Sequence, residues 1–109
     1  MKKAIIQLEA NKISLVLLET KNNVYYNIID EFTDNLSLGK EIYSDGILKP
    51  VMIKDLLKVL KMYRRICDRN GITEINAFST KFLLSAKNNK SVTEEIYNTY
   101  GFEKGILIP

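Results

Sequence analysis

Residues 2–32, KKAIIQLEANKISLVLLETKNNVYYNIIDEF, decide the fold of this chain, because they hold three short apolar runs separated by two polar turns. The runs are too short for helices and are typical of strands. The turns fall at Gln7–Lys12 and at Lys21–Asn23. Three strands with such short links predict an antiparallel meander. The strands are predicted at Ala4–Leu8, Ile13–Glu19 and Val24–Phe32.

A long amphipathic helix is predicted after residues 34–49, which are interpreted as an irregular polar stretch. Pro50 suits the first helical turn, where the missing N–H costs no hydrogen bond. Asn70-Gly71 is a helix stop signal. The apolar stripe with helical spacing consists of Ile53, Leu56, Leu57, Leu60, Tyr63, Ile66 and Cys67. The opposite face carries Lys54, Lys58, Lys61, Arg64, Arg65 and Asp68, a pattern typical of a solvated surface and compatible with docking of nucleic acid or another acidic partner.

The rest of the chain predicts two further strands and a short helix. Because a helix precedes the fourth strand, that strand is predicted to lie parallel to the first. Ser91 and Glu94 form a capping-box pattern at the start of the short helix. The remaining segments are a strand at Ile72–Ser79, a turn or short helix at Thr80–Asn89, a helix at Ser91–Tyr100 and a strand at Lys104–Ile108.

The order β-β-β-α-β-α-β predicts a single α/β domain over residues 1–109. The expected fold is ribonuclease H-like, with a five-stranded mixed sheet that contains an antiparallel meander and has helices on its faces.

Composition excludes several classes of function. The chain has no histidine and one cysteine, which excludes an internal disulfide and a Ser-His or Cys-His nucleophile and argues against a zinc site. A net charge of +3 is too mild to indicate nucleic-acid binding. No apolar run approaches the roughly 18 residues that span a membrane. Polar residues from Gln7 onward interrupt the signal-like start, so a cytoplasmic location is expected.

Five segments, in the same order along the chain, are similar to motifs of one family. They are Met1–Ile6 with Asn11 and Ile13, Ile29–Glu31 with Leu36–Gly39, Asp45–Leu48, Gly71–Thr80, and Ala86–Asn88. The chain resembles the N-terminal subdomain of the exopolyphosphatase/guanosine pentaphosphate phosphohydrolase (Ppx/GppA) family, in the actin-like ATPase superfamily. The resemblance implies an actin-like ATPase subdomain, hydrolysis of a terminal phosphoanhydride, Mg²⁺ as a cofactor, and polyphosphate or a nucleotide as ligand.

The first phosphate loop departs from the pattern of that family. The family's aspartate aligns with Gln7, its glycine with Glu9 and its serine with Ala10, whereas Asn11 is kept and Lys12 follows. A side chain at position 9 blocks close approach of phosphate to the backbone, and its charge repels phosphate oxygens. The residues also have plainer interpretations, with Glu9 as a solvated turn carboxylate and Gln7 as a turn-stabilising residue.

The second phosphate loop departs as well. Thr80 is kept, but the next serine aligns with Lys81, the phosphate-binding arginine with Leu84 and its glutamate neighbour with Ser85. The family's catalytic glutamate follows the equivalent of the last predicted strand, and this sequence ends before that position. Several lysines near the two loops either attract a polyanion or form a solvated rim. They are Lys12, Lys81, Lys87 and Lys90.

Two principal functions follow from these features. The first is an exopolyphosphatase-type phosphate-loop subdomain with eroded loops and no catalytic base, which is not catalytically competent alone. The alternative is a non-enzymatic binding or assembly module that kept the fold and lost the site. Both predict a homo-oligomer or a second chain that supplies the missing lobe. A basic polyphosphate or nucleic-acid binder without catalysis is a third interpretation.

Overall fold

The protein is an α/β domain with one mixed sheet. A computed structural model describes residues 1–22, 25–100 and 106–107. The strands of this part are β1 (Lys2–Leu8), β2 (Lys12–Lys21), β3 (Tyr25–Asn35), β4 (Ile75–Ser79) and β5 (Ile106–Leu107). The helices are α1 (Leu38–Asp45), α2 (Pro50–Arg69) and α3 (Asn89–Tyr100), and a 3₁₀ turn at Lys81–Ser85 precedes α3.

The sheet has the order β3-β2-β1-β4-β5. β1 pairs antiparallel with β2, and β2 pairs antiparallel with β3, so the predicted meander is confirmed. β4 lies parallel to β1, also as predicted, and β5 lies parallel to β4. The central strand β1 is paired on both sides, and its alternate residues Ala4, Ile6 and Leu8 are buried whereas Gln7 is exposed.

The core lies on one face of the sheet. Alternate residues of β1 are buried and lie opposite buried residues of β2, for example Ile6 opposite Leu15 and Leu8 opposite Ile13. The described helices all contribute buried side chains to this same core. The prediction placed helices on the faces of the sheet, whereas in the described part of the chain they cover one face. The side chains that α2 and α3 bury are Leu56, Leu60, Tyr63, Cys67, Val92 and Ile96.

The interpretation of residues 34–49 as irregular is wrong, because helix α1 (Leu38–Asp45) lies there. Leu38 and Ile42, which are four residues apart, are buried in the core and hold the helix. Gly46 then adopts a left-handed φ of 75° and ends it. The helix has three apolar residues, Leu38, Ile42 and Tyr43, which give too weak a periodicity to identify such a short helix.

The stop signal after α2 is confirmed, and it also shortens the next strand. Gly71 has a φ of 67°, and its N–H donates to the carbonyl of Asp68 at 3.1 Å. The N–H of Ile72 donates to the carbonyl of Cys67 at 2.9 Å, which completes a Schellman motif. Ile72 is therefore part of the helix end, and β4 begins at Ile75 instead.

The capping box predicted for the last helix is wrong. α3 begins at Asn89, so Ser91 lies inside the helix and does not cap it. The Asn89 side chain donates to the carbonyl of Ala86 at 2.8 Å at this end of the helix. The predicted fifth strand is described over Ile106–Leu107, and its other residues lie outside the described part. No helix of the described part is long and apolar enough to cross a membrane.

Candidate functional site

The two predicted phosphate loops lie at the same end of the sheet, where β1 and β4 end. β1 and β4 are parallel neighbours, and their last residues, Leu8 and Ser79, lie opposite each other. The N–H of Thr80 donates to the carbonyl of Leu8 at 3.0 Å, which ties the start of the second loop to the end of β1. The carboxyl ends of parallel strands are the usual position of ligand sites in α/β sheets.

The first loop is a tight turn closed by Glu9 and Lys12. The N–H of Glu9 donates to the carbonyl of Lys12 at 2.9 Å. Their side chains form an ion pair with 3.5 Å between the ammonium nitrogen and Oε2. The Glu9 side chain is 30% exposed and that of Lys12 is 47% exposed. An exposed ion pair of this kind contributes roughly 0–1 kcal/mol to the free energy of unfolding. Its main effect is therefore to offset the two charges within the turn.

Helix α1 holds the other half of the turn through the backbone. The N–H of Gly39 donates to the carbonyl of Ala10 at 2.7 Å, and the N–H of Leu36 donates to the carbonyl of Asn11 at 3.2 Å. A Cβ atom on Gly39 would lie only 2.7 Å from the Cβ of Ala10. Within the described residues, the N–H groups of Ala10 and Asn11 have no acceptor. They are therefore free to donate to an anion.

The predicted residues of the first loop divide between two grooves. Gln7, Glu9 and Lys12 line a small groove of about 240 Å³ on the face of the sheet away from the core. Ala10 and Asn11 line a larger groove of about 540 Å³ beside α1. These five residues are close in sequence, but the turn directs Gln7, Glu9 and Lys12 to one groove and Ala10 and Asn11 to the other. The small groove also contains Ser14, Val16, Glu31, Phe32 and Thr33.

The larger groove contains residues that the sequence did not suggest. Its wall is formed by α1, where Tyr43 is 73% exposed and Lys40 is exposed. An exposed ring, an ammonium group and two free N–H groups suit a ligand with a flat or anionic part. These residues were not predicted as part of a site because residues 34–49 were interpreted as irregular, so the helix that brings them together was not expected. The α1 side of the groove consists of Ser37, Lys40, Tyr43 and Ser44.

The second loop offers little to a phosphate. Thr80 uses its N–H to bind Leu8, and its carbonyl accepts a bond from the Ser79 hydroxyl at 2.9 Å. Lys81 is exposed at the start of the 3₁₀ turn, and neither Thr80 nor Lys81 lines the two grooves. Leu84, which by resemblance occupies the position of the phosphate-binding arginine, is 54% exposed and has no donor in its side chain.

The described residues at this end of the sheet offer few ligands for a magnesium ion. Among residues 1–22, 25–100 and 106–107, no three acidic, histidine or cysteine side chains gather closely enough to hold a metal. In the first loop the acidic side chain is Glu9, which is paired with Lys12, and Gln7 has a neutral amide. Because Mg²⁺ is usually held by one or two carboxylates together with waters and substrate phosphates, these residues supply at most part of such a site.

The fold and the sequence together place the chain in a known family. A family model described as the Ppx/GppA phosphatase family matches residues 16–108. The chain therefore belongs to the Ppx/GppA phosphatase family. No curated protein matches the chain.

Solved structures of that family share the fold over the whole chain. The Aquifex aeolicus member of the Ppx/GppA family has a TM-score of 0.90 at 24% identity, with 100% of this chain and 35% of that chain covered. A second structure, of the Aquifex aeolicus PPX-GPPA enzyme, has a TM-score of 0.88 at 25% identity, with 100% of this chain and 36% of that chain covered. An exopolyphosphatase from Cytophaga hutchinsonii gives 0.87 at 18% identity, with 99% and 34% covered. The chain thus spans about a third of the length of these structures.

Proposed function

We propose that residues 1–109 form the N-terminal, ribonuclease H-like subdomain of an exopolyphosphatase-type protein, with phosphate loops too eroded for catalysis by this chain alone. The observation that carries the proposal is the Glu9–Lys12 ion pair, which occupies the turn where the resemblance expects a glycine. A cytoplasmic location belongs to the same proposal and rests on composition.

The physical argument concerns the charge that a phosphate meets at the turn. Hydrolysis of a phosphoanhydride requires donors directed at the phosphate oxygens as charge develops on them. The N–H groups of Ala10 and Asn11 are available for this, but the carboxylate of Glu9 belongs to the same turn. Two like charges about 4 Å apart cost about 1 kcal/mol in water and about 4 kcal/mol near a protein surface. Lys12 offsets part of this charge through the ion pair, so Glu9 weakens phosphate binding at the turn by less than the full repulsion between two charges.

Calorimetry with polyphosphate, ATP and GTP, each with and without Mg²⁺, tests this proposal on the 109-residue chain. The expected result is weak binding, with a Kd above roughly 100 μM, that does not depend on Mg²⁺. A phosphate-release assay on the same samples should show no turnover. Micromolar, Mg²⁺-dependent binding, or turnover that Glu9→Ala abolishes, would show that the site is intact and that the proposal is wrong.

A second candidate function is an assembly module, and the uncovered face of the sheet favours it. The half-buried side chains of Ile5, Val16, Leu18 and Phe78 lie on this face. Next to them, Ile28 of the edge strand β3 lies opposite Leu18 and is 60% exposed. Exposed apolar surface beside an unpaired strand edge favours association with a second copy of the chain or with another chain.

Light scattering over a concentration series tests the assembly function. If it is correct, the chain forms a dimer or larger oligomer at high concentration, and Ile28→Lys shifts it toward the monomer. Lysine on an edge strand opposes strand pairing. A chain that stays monomeric at the highest soluble concentration does not act as a homo-oligomeric module.

A further inference from the structure

A groove lies between α2 and α3 and shares none of its lining residues with the two grooves at the phosphate loops. It has a volume of about 530 Å³, within the range of small-ligand sites. Its apolar part is formed by Pro50, Ile53 and Leu57 on α2. Ile53 and Leu57 are four residues apart, so they lie one above the other on the same side of the helix. They are half-buried against the core, which makes the floor of the groove a fixed surface.

A row of lysines borders this apolar floor. Lys54, Lys58 and Lys61 line the groove and are exposed, with the four- and three-residue spacing that keeps them on one side of α2. Glu95 of α3 is the acidic residue among the lining residues. Three positive charges beside an apolar floor therefore face one negative charge.

These lysines are unpaired within the described residues, whereas three other described lysines have acidic partners. Lys3, Lys12 and Lys49 each form an ion pair with a nearby carboxylate, at 3.6, 3.5 and 3.1 Å. Within residues 1–22, 25–100 and 106–107, Lys54, Lys58 and Lys61 form no ion pair or hydrogen bond. Their charges are free to interact with an external acidic group.

We propose that this groove binds an acidic amphipathic helix of a partner protein. The row from Lys54 to Lys61 extends about 10 Å, or two helical turns. Carboxylates spaced by one or two turns on a partner helix that lies beside α2 would therefore reach these lysines. Apolar side chains of the partner would pack on Ile53 and Leu57, and its carboxylates would lie beside the lysines, as in helix-in-groove recognition. A second copy of α2 is excluded as the occupant, because its own lysines would meet the same row and repel it.

The proposal is tested with two designed helical peptides of about 21 residues, or three heptads. Both have leucine at the a and d positions. One has glutamate at e and g, and the other has lysine there. Each is labelled with fluorescein, and binding to the 109-residue chain is followed by fluorescence anisotropy. The acidic peptide is expected to bind with a micromolar Kd, and the basic peptide is expected not to bind.

A pair of double variants separates the groove from the overall charge of the protein. Lys54→Glu/Lys58→Glu reverses two charges of the row, and Lys2→Glu/Lys21→Glu makes the same change in net charge at two exposed positions on strands β1 and β2. The groove variant should lose roughly tenfold or more of its affinity for the acidic peptide and gain affinity for the basic one. The strand variant should change the affinity less than about twofold, the residual effect of a screened surface charge. Circular dichroism confirms that both variants are folded.

Three results would overturn the proposal. The first is an equal effect of the two double variants, and the second is an acidic peptide with serine in place of leucine that binds as tightly as the original. The third is that duplex DNA or anionic vesicles bind more tightly than the acidic peptide and that this binding is lost in the groove variant. That result would assign the lysine row to another partner.

Discussion

The hydroxyl oxygen of Tyr63 lies 2.7 Å from Oδ2 of Asp34, and this contact joins the middle of α2 to β3. The same oxygen lies 3.0 Å from the carbonyl oxygen of Ile13 on β2, which is paired with Asp34 in the sheet. The Tyr63 side chain is fully buried, so these acceptors satisfy a hydroxyl that has no water to bind. The contact fixes α2 on β2, the strand that leads out of the first phosphate loop, and on its neighbour β3.

The first prediction is that Tyr63→Phe destabilises the fold by about 1–2 kcal/mol. The substitution keeps the ring but removes the single O–H donor, so the carboxylate of Asp34 loses its shorter hydrogen bond and the carbonyl of Ile13 loses this contact. An unsatisfied buried polar group costs about 1–3 kcal/mol. Urea unfolding followed by circular dichroism measures the change. Tyr43→Phe is the control, because Tyr43 is 73% exposed and its hydroxyl has water available. Equal stability of Tyr63→Phe and the wild type would mean that the hydrogen bond contributes nothing.

The second prediction concerns alkaline pH. Burial raises the pKa of the Cys67 thiol from 9.0 to about 11. Burial, the hydrogen bond to Asp34 and the Asp34 charge also raise the pKa of Tyr63. Both groups therefore keep their protons in the folded state when the unfolded chain has lost them. The unfolded state binds fewer protons, so the free energy of unfolding should fall as pH rises above about 9.

Urea unfolding at pH 8, 9, 10 and 11 measures this slope, and Cys67→Ala removes the contribution of the thiol. The variant is expected to be less stable at every pH because of the cavity, but its stability should fall less steeply between about pH 9 and pH 11. Parallel curves for the wild type and the variant would show that the thiol titrates alike in both states.

Much of the fold was predictable because it depends on local patterns. The meander follows from three apolar runs with short links, and the end of α2 follows from Asn70-Gly71, whose Schellman motif needs a left-handed residue at Gly71. The parallel position of β4 follows from the crossover rule. Helix α1 was missed because its stability comes from tertiary contacts, such as the close approach of Gly39 to Ala10, which no local pattern encodes.

The candidate site was predictable only in part. The side of the sheet that each loop residue faces was not predicted, although the alternation of β1 contains that information. Ile6 and Leu8 face the core, so Gln7 must face the opposite side, where it lies opposite Ser14. Lys40 and Tyr43 could not be assigned to the groove while α1 was unknown. The roles of the predicted loop residues in phosphate binding stay predictions.

The third prediction is that Gly39→Ala destabilises the fold and that Ala10→Gly compensates. A new Cβ at position 39 would lie 2.7 Å from the Cβ of Ala10, which requires the turn or the helix to move. Overpacking of this kind costs about 1–3 kcal/mol. In the double variant Ala10→Gly/Gly39→Ala the clashing methyl group is absent, so part of that loss should be recovered.

A double-mutant cycle in urea separates this contact from other effects. The two single variants and the double variant should show a coupling energy of about 1 kcal/mol or more, since the residues touch. Lys2→Ala at the opposite end of β1, combined with Ala10→Gly, is the control for distant sites and should be additive. An additive Gly39→Ala cycle would contradict the predicted contact.

The fourth prediction is that the side chain of Asn88 holds the loop before α2. Its Oδ1 accepts a bond from the N–H of Leu48 at 3.0 Å, and its Nδ2 donates to the carbonyl of Leu48 at 2.9 Å. Leu48 is fully buried, so Asn88→Ala leaves a donor and an acceptor unsatisfied and should cost about 2–3 kcal/mol. Asn70→Ala, which removes one exposed side-chain bond to the Ile66 carbonyl, is the control and should cost less than about 1 kcal/mol.

The Asn88→Asp variant distinguishes the two bonds. Aspartate can still accept from the N–H of Leu48 but cannot donate to its carbonyl, and its charge would lie beside that carbonyl oxygen. We therefore expect Asn88→Asp to be at least as destabilising as Asn88→Ala at neutral pH and to recover stability at acidic pH, where the carboxyl group is protonated and can donate. Without that recovery the geometry of the pair would have to differ from the one described.

The fifth prediction is that Glu9→Gly increases the affinity of the chain for polyphosphate. The substitution removes a side chain and a negative charge from the turn and releases Lys12 from its ion pair. Loss of a repulsion of about 1 kcal/mol corresponds to a roughly fivefold tighter Kd, and closer approach of phosphate to the N–H groups of Ala10 and Asn11 should add to this. Calorimetry at low and high salt measures the change.

Glu9→Gln is the control for this prediction, because it removes the charge and keeps the side chain. If charge alone weakens binding, Glu9→Gln and Glu9→Gly should tighten it equally, and the gain should shrink at high salt as the interaction is screened. If the side chain also blocks the backbone, Glu9→Gly should bind more tightly than Glu9→Gln at every salt concentration. Unchanged affinity in both variants would mean that the turn at residues 9–12 is not where this chain meets phosphate, and the lysines nearer the second loop, Lys81 and Lys87, would become the next positions to change.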